Sequence, residues 1–162
     1  MAMIKSFPPE IDKNSRILIL GSIPGKESLR KREYYAHPRN QFWKIIYTLF
    51  EVPMDEDYNK KIKFLKGKGF ALWDVIDVCY REGSLDSNIK EEKVNDFKSF
   101  FTEYPNIKYV FFNGIKAYET FRKEVGFGFP EIVFKRLLST SPANAIKFEE
   151  KLREWMEIKV CP

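Results

Sequence analysis

The sequence is poor in the residues that bind transition metals or form disulfides. Its 162 residues include two cysteines and one histidine. Cys79 and Cys161 lie far apart, form no CxxC pair and are too few for an iron–sulfur cluster. We therefore expect no bound metal and no cofactor, and we expect both thiols to be reduced, as is usual in the cytoplasm.

Long hydrophobic runs are also absent. No apolar stretch approaches the ~18 residues that a membrane-spanning helix needs, and the opening sequence MAMIKSFPPE contains no apolar signal segment. The phosphate-binding sequences GxGxxG and GxxxxGKS are missing as well, which argues against an unrelated nucleotide-binding enzyme. We expect a cytoplasmic protein that does not bind membranes.

Positive charge and aromatic side chains are plentiful. Lys and Arg number 28 against 23 Asp and Glu, which gives a net charge of +5, and aromatic residues make up 16% of the chain. A basic surface suits a polyanion such as nucleic acid, although many small proteins are mildly basic. The length indicates a single domain over residues 1–162, with a core large enough to fold without disulfides.

Buried strands and amphipathic helices alternate along the chain. The continuous apolar run at residues 17–20 is typical of a strand buried on both faces, and further strands are predicted within residues 69–77, 107–114 and 131–138. Helices are predicted over residues 40–50, 59–69, 90–104, 115–125 and 144–158, with a polar loop at residues 79–89. This order predicts an α/β protein, a three-layer α/β/α sandwich with a central four-stranded parallel sheet.

The candidate chemistry lies where these strands end, because parallel sheets bind ligands beyond the carboxyl ends of their strands. Those ends are residues 21–25 (the first turn, GSIPG), residues 73–77, Asn113 with Gly114, and residues 139–144 (the serine turn, STSPAN). The sequence YYAHPRNQFW at residues 34–43, here called the aromatic segment, follows the first turn. We expect the aromatic segment and the serine turn to enclose one cavity.

These sequences together resemble one protein family. GSIPG, YYAHPRNQFW, FFNG and STSPANA, in this order, are similar to motifs of the uracil-DNA glycosylase superfamily. The likeness is greater to its hypoxanthine (deoxyinosine) branch, which has a Gly-Ser-x-Pro-Gly turn and the sequence Ser-Thr-Ser-Pro-Ala-Asn-Ala, than to its mismatch-specific thymine/uracil branch. The similarity spans roughly residues 17–155.

The resemblance implies a DNA repair enzyme with the fold of that superfamily. It implies a metal-free, monofunctional DNA N-glycosylase that works as a monomer on double-stranded DNA. Such an enzyme flips out a deaminated base, here hypoxanthine first, and hydrolyses its N-glycosidic bond to leave an abasic site. It would be nucleoid-associated while on DNA. Two alternatives stay open: a glycosylase for uracil or mismatches, and a non-catalytic nucleic-acid-binding member of the fold.

Two residues, Ser22 and Asn40, are the candidates for catalysis. Related branches carry an Asp or Asn in the first turn, where this sequence has Ser22 and Ile23, so the usual group that activates water is missing. The resemblance implies that Asn40 takes over by orienting the water or stabilising the cationic sugar, with capping of the following helix as the alternative role. No acid that would protonate a departing purine is evident in the sequence.

The remaining candidates bind the base or the DNA. The resemblance implies that Tyr35 stacks on the flipped base, and His37, next to the rigid Pro38, is expected to hold that ring or to touch a phosphate. Asn113 is expected to read the base edge through its amide, and backbone N–H groups around Ile23 to bind a base carbonyl. The predicted DNA contacts, aided by the N-terminus of the final helix, are Arg39, Ser139, Thr140, Ser141 and Asn144.

Overall fold

The computed structural model describes residues 2–161, along which strands and helices alternate. In chain order the elements are β1 (Ala2–Lys5), β2 (Ile17–Gly21), α1 (Lys26–Lys31), α2 (Phe42–Leu49), α3 (Tyr58–Gly67), β3 (Phe70–Asp74), β4 (Ile76–Arg81), β5 (Lys90–Val94), α4 (Phe97–Glu103), β6 (Tyr109–Asn113), α5 (Ile115–Glu124), β7 (Val133–Leu137) and α6 (Phe148–Trp155). Short 3₁₀ turns cover Asp86–Asn88 and Met156–Ile158.

Four of these strands form the central parallel sheet that the sequence predicts. Their order is β3-β2-β6-β7, and every neighbouring pair is parallel. Because β2 lies between two neighbours, its Leu18 pairs with Ala71 on one side and with Val110 on the other. The predicted fold class, an α/β/α sandwich around a four-stranded parallel sheet, is confirmed.

Helices cover both faces of this sheet because successive side chains of a strand point to opposite faces. Ile19 of β2 packs in one core cluster with Phe42 of α2 and Trp155 of α6. Leu20, the next residue, packs in the other cluster with Phe97 of α4. All five of these side chains are buried, and burial on both faces is why the strand appears in the sequence as an unbroken apolar run.

A second, antiparallel sheet of three strands departs from the prediction. Its order is β1-β4-β5. Residues 69–77 therefore contain the whole of β3 and the beginning of β4, and the predicted loop at residues 79–89 begins inside β4. The predicted helix at residues 90–104 is wrong in its first half: Lys90–Val94 is strand β5, and α4 begins at Phe97 after Asp96, whose Oδ1 accepts the Ser99 N–H at 3.1 Å.

Tertiary pairing overrides local helix preference in β5. Its sequence KEEKV is rich in residues that favour helices. Pairing with β4 nevertheless places Val94 opposite Ile76 and Lys90 opposite Tyr80. The charged side chains of β5 then lie along the edge of the small sheet, a position where charge discourages further strand pairing.

The carboxyl ends of the central strands meet at one edge, as a parallel sheet requires. β2 ends at Gly21, β3 at Asp74 and β6 at Asn113, and β7 ends at Leu137, just before the serine turn. Helix α6 begins at Phe148 and not at the predicted residue 144. The serine turn therefore lies wholly before the helix, and Asn144 is not part of α6. Within residues 2–161, no helix is both long and apolar enough to cross a bilayer.

Candidate active site

A cavity of about 570 Å³ opens at this edge of the sheet. Its wall includes every predicted site residue except Arg39, which is exposed and lies outside it. The predicted residues that it brings together are Ser22, Ile23, Tyr35, His37, Asn40, Asn113, Ser139, Thr140, Ser141 and Asn144. A volume of this size is ordinary for a small-molecule site and leaves room for a purine base.

Thr140 joins the aromatic segment to the serine turn. Its hydroxyl donates to Asn40 Oδ1 at 2.8 Å and accepts from Asn113 Nδ2 at 2.9 Å. Its backbone N–H donates to Asn113 Oδ1 at 2.9 Å, and its carbonyl accepts the Gln41 N–H at 3.1 Å. Thr140 is fully buried and each of its polar groups is bonded, so it belongs to the scaffold of the site and not, as predicted, to the DNA-facing surface.

The side chain of Asn40 is fixed so that only its amide nitrogen is free. Oδ1 accepts the Phe42 N–H at 2.9 Å as well as the Thr140 hydroxyl, which uses both lone pairs. The backbone N–H of Phe42 can only donate, so the atom facing it must be the oxygen. Asn40 therefore caps α2 from the position before the formal N-cap, Gln41, and Nδ2 has no acceptor among residues 2–161.

Lys151 of α6 holds the serine turn against the start of α2. Its Nζ donates to Gln41 Oε1 at 3.0 Å and to the Asn144 carbonyl at 2.9 Å. The residue is 1% exposed, and burial lowers the pKa of its ammonium group. The sequence shows Lys151 only as one charge on an amphipathic helix, yet it links the two walls of the cavity.

The serine turn is braced internally and still keeps hydroxyl protons free. Ser139 Oγ accepts the Ser141 N–H at 3.1 Å, and Ser141 Oγ accepts the Ala143 N–H at 3.2 Å. Asn144 Nδ2 donates to the Ser139 carbonyl at 3.0 Å. Because both serine oxygens act only as acceptors within the described chain, their O–H groups are available to an incoming phosphate.

Tyr35 occupies a strained position in the cavity wall. Its φ of 58° is left-handed, which is uncommon for a residue with a side chain and concentrates at functional sites. One face of its ring stacks on Phe42, with centroids 4.1 Å apart and planes 25° apart. The hydroxyl is buried and makes no hydrogen bond of good geometry among residues 2–161. Burial and the nearby Asp74 raise its pKa, and the side chain of Asn113 opposes them.

His37 and Arg39 follow Tyr35 and are linked to each other. His37 Nδ1 accepts the Arg39 backbone N–H at 3.1 Å, so a neutral imidazole carries its proton on Nε2. His37 lines the cavity and can therefore offer one N–H donor there. The Arg39 side chain is exposed and is not part of the cavity lining, so its predicted contact with a phosphate stays a prediction.

The first turn is held by the loop that joins β4 and β5. The Ser22 hydroxyl donates to Asp86 Oδ1 at 2.7 Å. The buried guanidinium of Arg81 donates to the Pro24 carbonyl at 2.6 Å and to the Gly83 carbonyl at 2.9 Å. The Ile23 side chain is 7% exposed and packs in a small core cluster with Ile76, so any contact of Ile23 with a base would come from its backbone N–H, which no acceptor in residues 2–161 takes.

Comparison with known proteins identifies the family. A sequence model of the uracil DNA glycosylase superfamily matches residues 8–161.

The chain belongs to the uracil DNA glycosylase superfamily.

Two curated relatives extend over nearly the whole chain of this glycosylase. The hypoxanthine DNA glycosylase of Methanosarcina barkeri is 38% identical over 156 residues, which cover 94% of this chain and 96% of that protein. The protein of the same name from Methanosarcina acetivorans is 41% identical over 157 residues, with the same coverage.

A solved structure has the same fold. It is the solution NMR structure of a protein from Methanosarcina acetivorans, provisionally assigned as a uracil DNA glycosylase. It superposes with a TM-score of 0.81 at 38% identity and covers 97% of this chain and 96% of its own. The predicted family and activity are confirmed: this is a DNA N-glycosylase, a hydrolase of N-glycosyl bonds that acts in DNA repair.

One residue of the glycosylase site was missed by the sequence analysis, the carboxylic acid Asp74. It ends β3, is 4% exposed and lines the cavity. Its Oδ2 is buried without a hydrogen-bond partner in the described chain. Burial and the negative charge of Asp86 raise the pKa of Asp74, against the opposing effect of Arg81, to about 7.

The signal for Asp74 was present in the sequence but incomplete. Residues 73–77 were expected at the ligand-binding edge. Because a single strand was predicted within residues 69–77, the sequence did not show that β3 ends at Asp74 and that β4 begins at Ile76. Among residues 2–161, no cluster of three or more His, Cys, Asp or Glu side chains is arranged to hold a metal ion. Glu27 and Asp86 also line the cavity, but they are partly or fully exposed, whereas Asp74 is buried.

Proposed function

We propose that this glycosylase removes hypoxanthine from double-stranded DNA and leaves an abasic site. The observation that carries the proposal is the cavity enclosed by Tyr35, Asn40 and the serine turn. The choice of hypoxanthine is supported by the two curated relatives, both named hypoxanthine DNA glycosylase and both alike over 94% of the chain. The first turn, GSIPG, contains no carboxylate or amide side chain of the kind expected for efficient removal of uracil.

The cavity provides the surfaces that a flipped base needs. A base within the duplex is out of reach, so it must leave the stack, at a cost that is lowest for a mispaired base. Tyr35 offers an aromatic ring backed by Phe42. Asn113 retains one amide N–H and one lone pair after its two bonds to Thr140, so it can still read a base edge.

Asn40 is proposed to hold the attacking water through its free Nδ2. A donor bound to one lone pair of the water leaves the other lone pair for attack on C1′. Because the glycosyl transition state is oxocarbenium-like, the water needs little deprotonation before it attacks. The two acceptor bonds of Oδ1 keep the amide in a fixed orientation, as such positioning requires.

The DNA is proposed to lie across the mouth of the cavity. Lys26 is exposed there, and the free hydroxyl protons of Ser139 and Ser141 suit phosphate oxygens. Arg39, exposed outside the cavity lining, is a further candidate for a phosphate contact. Three exposed apolar side chains also surround the mouth: Leu85 (53% exposed), Ile115 (61%) and Ile146 (37%). Apolar side chains in such positions separate stacked bases when a protein distorts DNA.

We expect Ile115→Ser to slow excision from duplex DNA about tenfold and to leave excision from single-stranded DNA unchanged. Ile115 is the most exposed of the three rim residues and opens α5, which gives it a rigid support. Single-turnover rates on matched duplex and single-stranded oligonucleotides measure the effect. Val133→Ser is the control, because Val133 is 57% exposed but begins β7, at the opposite edge of the sheet. An equal loss on both substrates would contradict a role in opening the duplex.

The base preference is tested with duplex oligonucleotides that carry one hypoxanthine, uracil or xanthine, followed by alkali to cut abasic sites. We expect a cut product from hypoxanthine, at a higher rate than from uracil, and none from an undamaged duplex. A product from uracil alone would move the protein to another branch of the superfamily. The absence of product from every damaged duplex would mean that the fold has lost its activity.

A further inference from the structure

We propose that Asp74 is the general acid that protonates the departing purine. The inference rests on the proposed removal of hypoxanthine and supplies what the sequence analysis lacked, an acid for the leaving group. Three features of Asp74 support this role: its carboxyl group lies in the cavity wall, its Oδ2 has no hydrogen-bond partner within residues 2–161, and nearby charged side chains affect its pKa.

The position is the floor of the cavity, between the ends of two central strands. Gly21 ends β2 opposite Asp74, with which it pairs in the sheet. A Cβ at Gly21 would lie 2.7 Å from Asp74 Oδ1 and 3.2 Å from the Tyr35 hydroxyl. The carboxyl group thus occupies the space left by a missing side chain, and it lies next to the ring proposed to stack on the base.

The lack of a partner distinguishes Asp74 from a structural carboxylate. The Asp74 backbone carbonyl accepts from Asn95 Nδ2 at 2.8 Å, yet the buried Oδ2 has no hydrogen bond within residues 2–161. The Tyr35 hydroxyl beside it is buried and has no hydrogen bond of good geometry within the same residues, although the Asn113 amide lies close enough to lower its pKa. Buried polar groups in folded proteins are nearly always bonded, so two unpartnered groups in the wall of one cavity indicate places for the polar atoms of a ligand.

The surroundings keep Asp74 protonated to a useful degree near neutral pH. Burial and the negative charge of Asp86 raise its pKa, to about 7, against the opposing effect of Arg81. Asp74 in turn acts on the Tyr34 and Tyr35 hydroxyls, whose pKa values are raised by burial and by its charge, so they stay neutral. Within residues 2–161, the other titratable side chains that line the same cavity are Lys26, Glu27 and His37. Because the folded-state pKa is raised, the carboxyl group loses its proton as pH rises through about 7.

The proposed step balances as a hydrolysis. The Asp74 O–H proton passes to N7 of hypoxanthine while the C1′–N9 bond breaks and its electron pair stays with the base. The base leaves neutral, water adds to the cationic C1′, and the proton lost by that water returns through solvent to the carboxylate. Uracil offers no such ring nitrogen, because N1 is bonded to the sugar and N3 carries a proton. An acid at this position therefore favours a purine.

The test is the pH dependence of single-turnover hypoxanthine excision by the wild type, Asp74→Asn and Asp77→Asn. We expect the wild-type rate to be flat below about pH 6 and to fall about tenfold per pH unit above about pH 8. Asp74→Asn should be at least roughly tenfold slower near pH 6 and should show no inflection near neutrality. Asp77→Asn is the control, because Asp77 lies outside the cavity and pairs with Lys5 at 3.0 Å.

A substrate change tests the same step without altering the protein. On a duplex carrying 7-deazahypoxanthine, which lacks N7, the wild-type rate should be lower and should lose its inflection near neutrality. A wild-type rate on hypoxanthine that rises with pH would overturn the acid and indicate a base. An inflection kept by Asp74→Asn would overturn the assignment to Asp74. If the wild type excised no hypoxanthine at any pH, the proposed function itself would fail, and this inference with it.

Discussion

Asn40→Asp is expected to fold as stably as the wild type and to excise hypoxanthine about 100-fold more slowly. A carboxylate at this position still accepts the Phe42 N–H and the Thr140 hydroxyl, the two bonds that Oδ1 makes now. It replaces Nδ2, the free donor, with a second acceptor. The variant therefore removes the proposed contact with water and keeps the helix cap.

Asn40→Ala serves as the matched comparison, because it removes both functions of the side chain. We expect it to lose activity to a similar degree and to be less stable by about 1 kcal/mol, the usual cost of a lost cap. Thermal unfolding measures the difference in stability between the two variants. Single-turnover excision at one pH measures the loss of activity that both are expected to share. Undiminished excision by Asn40→Asp would show that Nδ2 is not needed and that Asn40 is only a cap.

Gly21→Ala is expected to reduce excision by about 100-fold through displacement of other residues in the site. Its new Cβ would approach Asp74 Oδ1 to 2.7 Å, closer than such atoms come in real proteins, and the Tyr35 hydroxyl to 3.2 Å. Gly21 is buried and paired with β3, so its backbone cannot move away easily. The Asp74 carboxyl group must therefore move, and this movement changes the shape of the cavity floor.

The same substitution should lower the free energy of unfolding by about 1–3 kcal/mol, as overpacking of a core does. Gly67→Ala is the control, since nothing lies within 4 Å of a Cβ there. Thermal unfolding and single-turnover excision of both variants separate the effect of the site from that of glycine replacement in general. Wild-type activity in a folded Gly21→Ala protein would mean that the position of Asp74 is unimportant.

The central sheet could be predicted from the sequence because its signals are local. The apolar run at residues 17–20 marks a strand buried on both faces, and it is β2, the strand with Leu18 and Leu20 wholly buried. A chain of buried strands separated by helices leaves few topologies other than a parallel sheet. The carboxyl ends of parallel strands lie at one edge, so the aromatic segment and the serine turn were expected together, and both line one cavity.

The small antiparallel sheet was missed because its pairing is not local. Residues 90–94 favour a helix by composition, and they form β5 only because β4 lies beside them. The boundary between β3 and β4 has the same origin. Val75 interrupts the strand where its N–H donates to the Gly21 carbonyl at 2.8 Å, a partner more than fifty positions away.

By itself, the sequence determined the layers of the fold, the family and most of the candidate residues that line the cavity. Only the tertiary structure decided the setting of each side chain: Thr140 is a buried link, Asn40 presents a donor and no acceptor, and Asp74 is buried with an oxygen that has no partner in residues 2–161, the basis of its proposed role as an acid. The reason is that burial and hydrogen bonding set these roles, and both depend on partners distant in sequence. Asn40 and Thr140 are 100 positions apart, yet their bond fixes which atom of the amide faces the cavity.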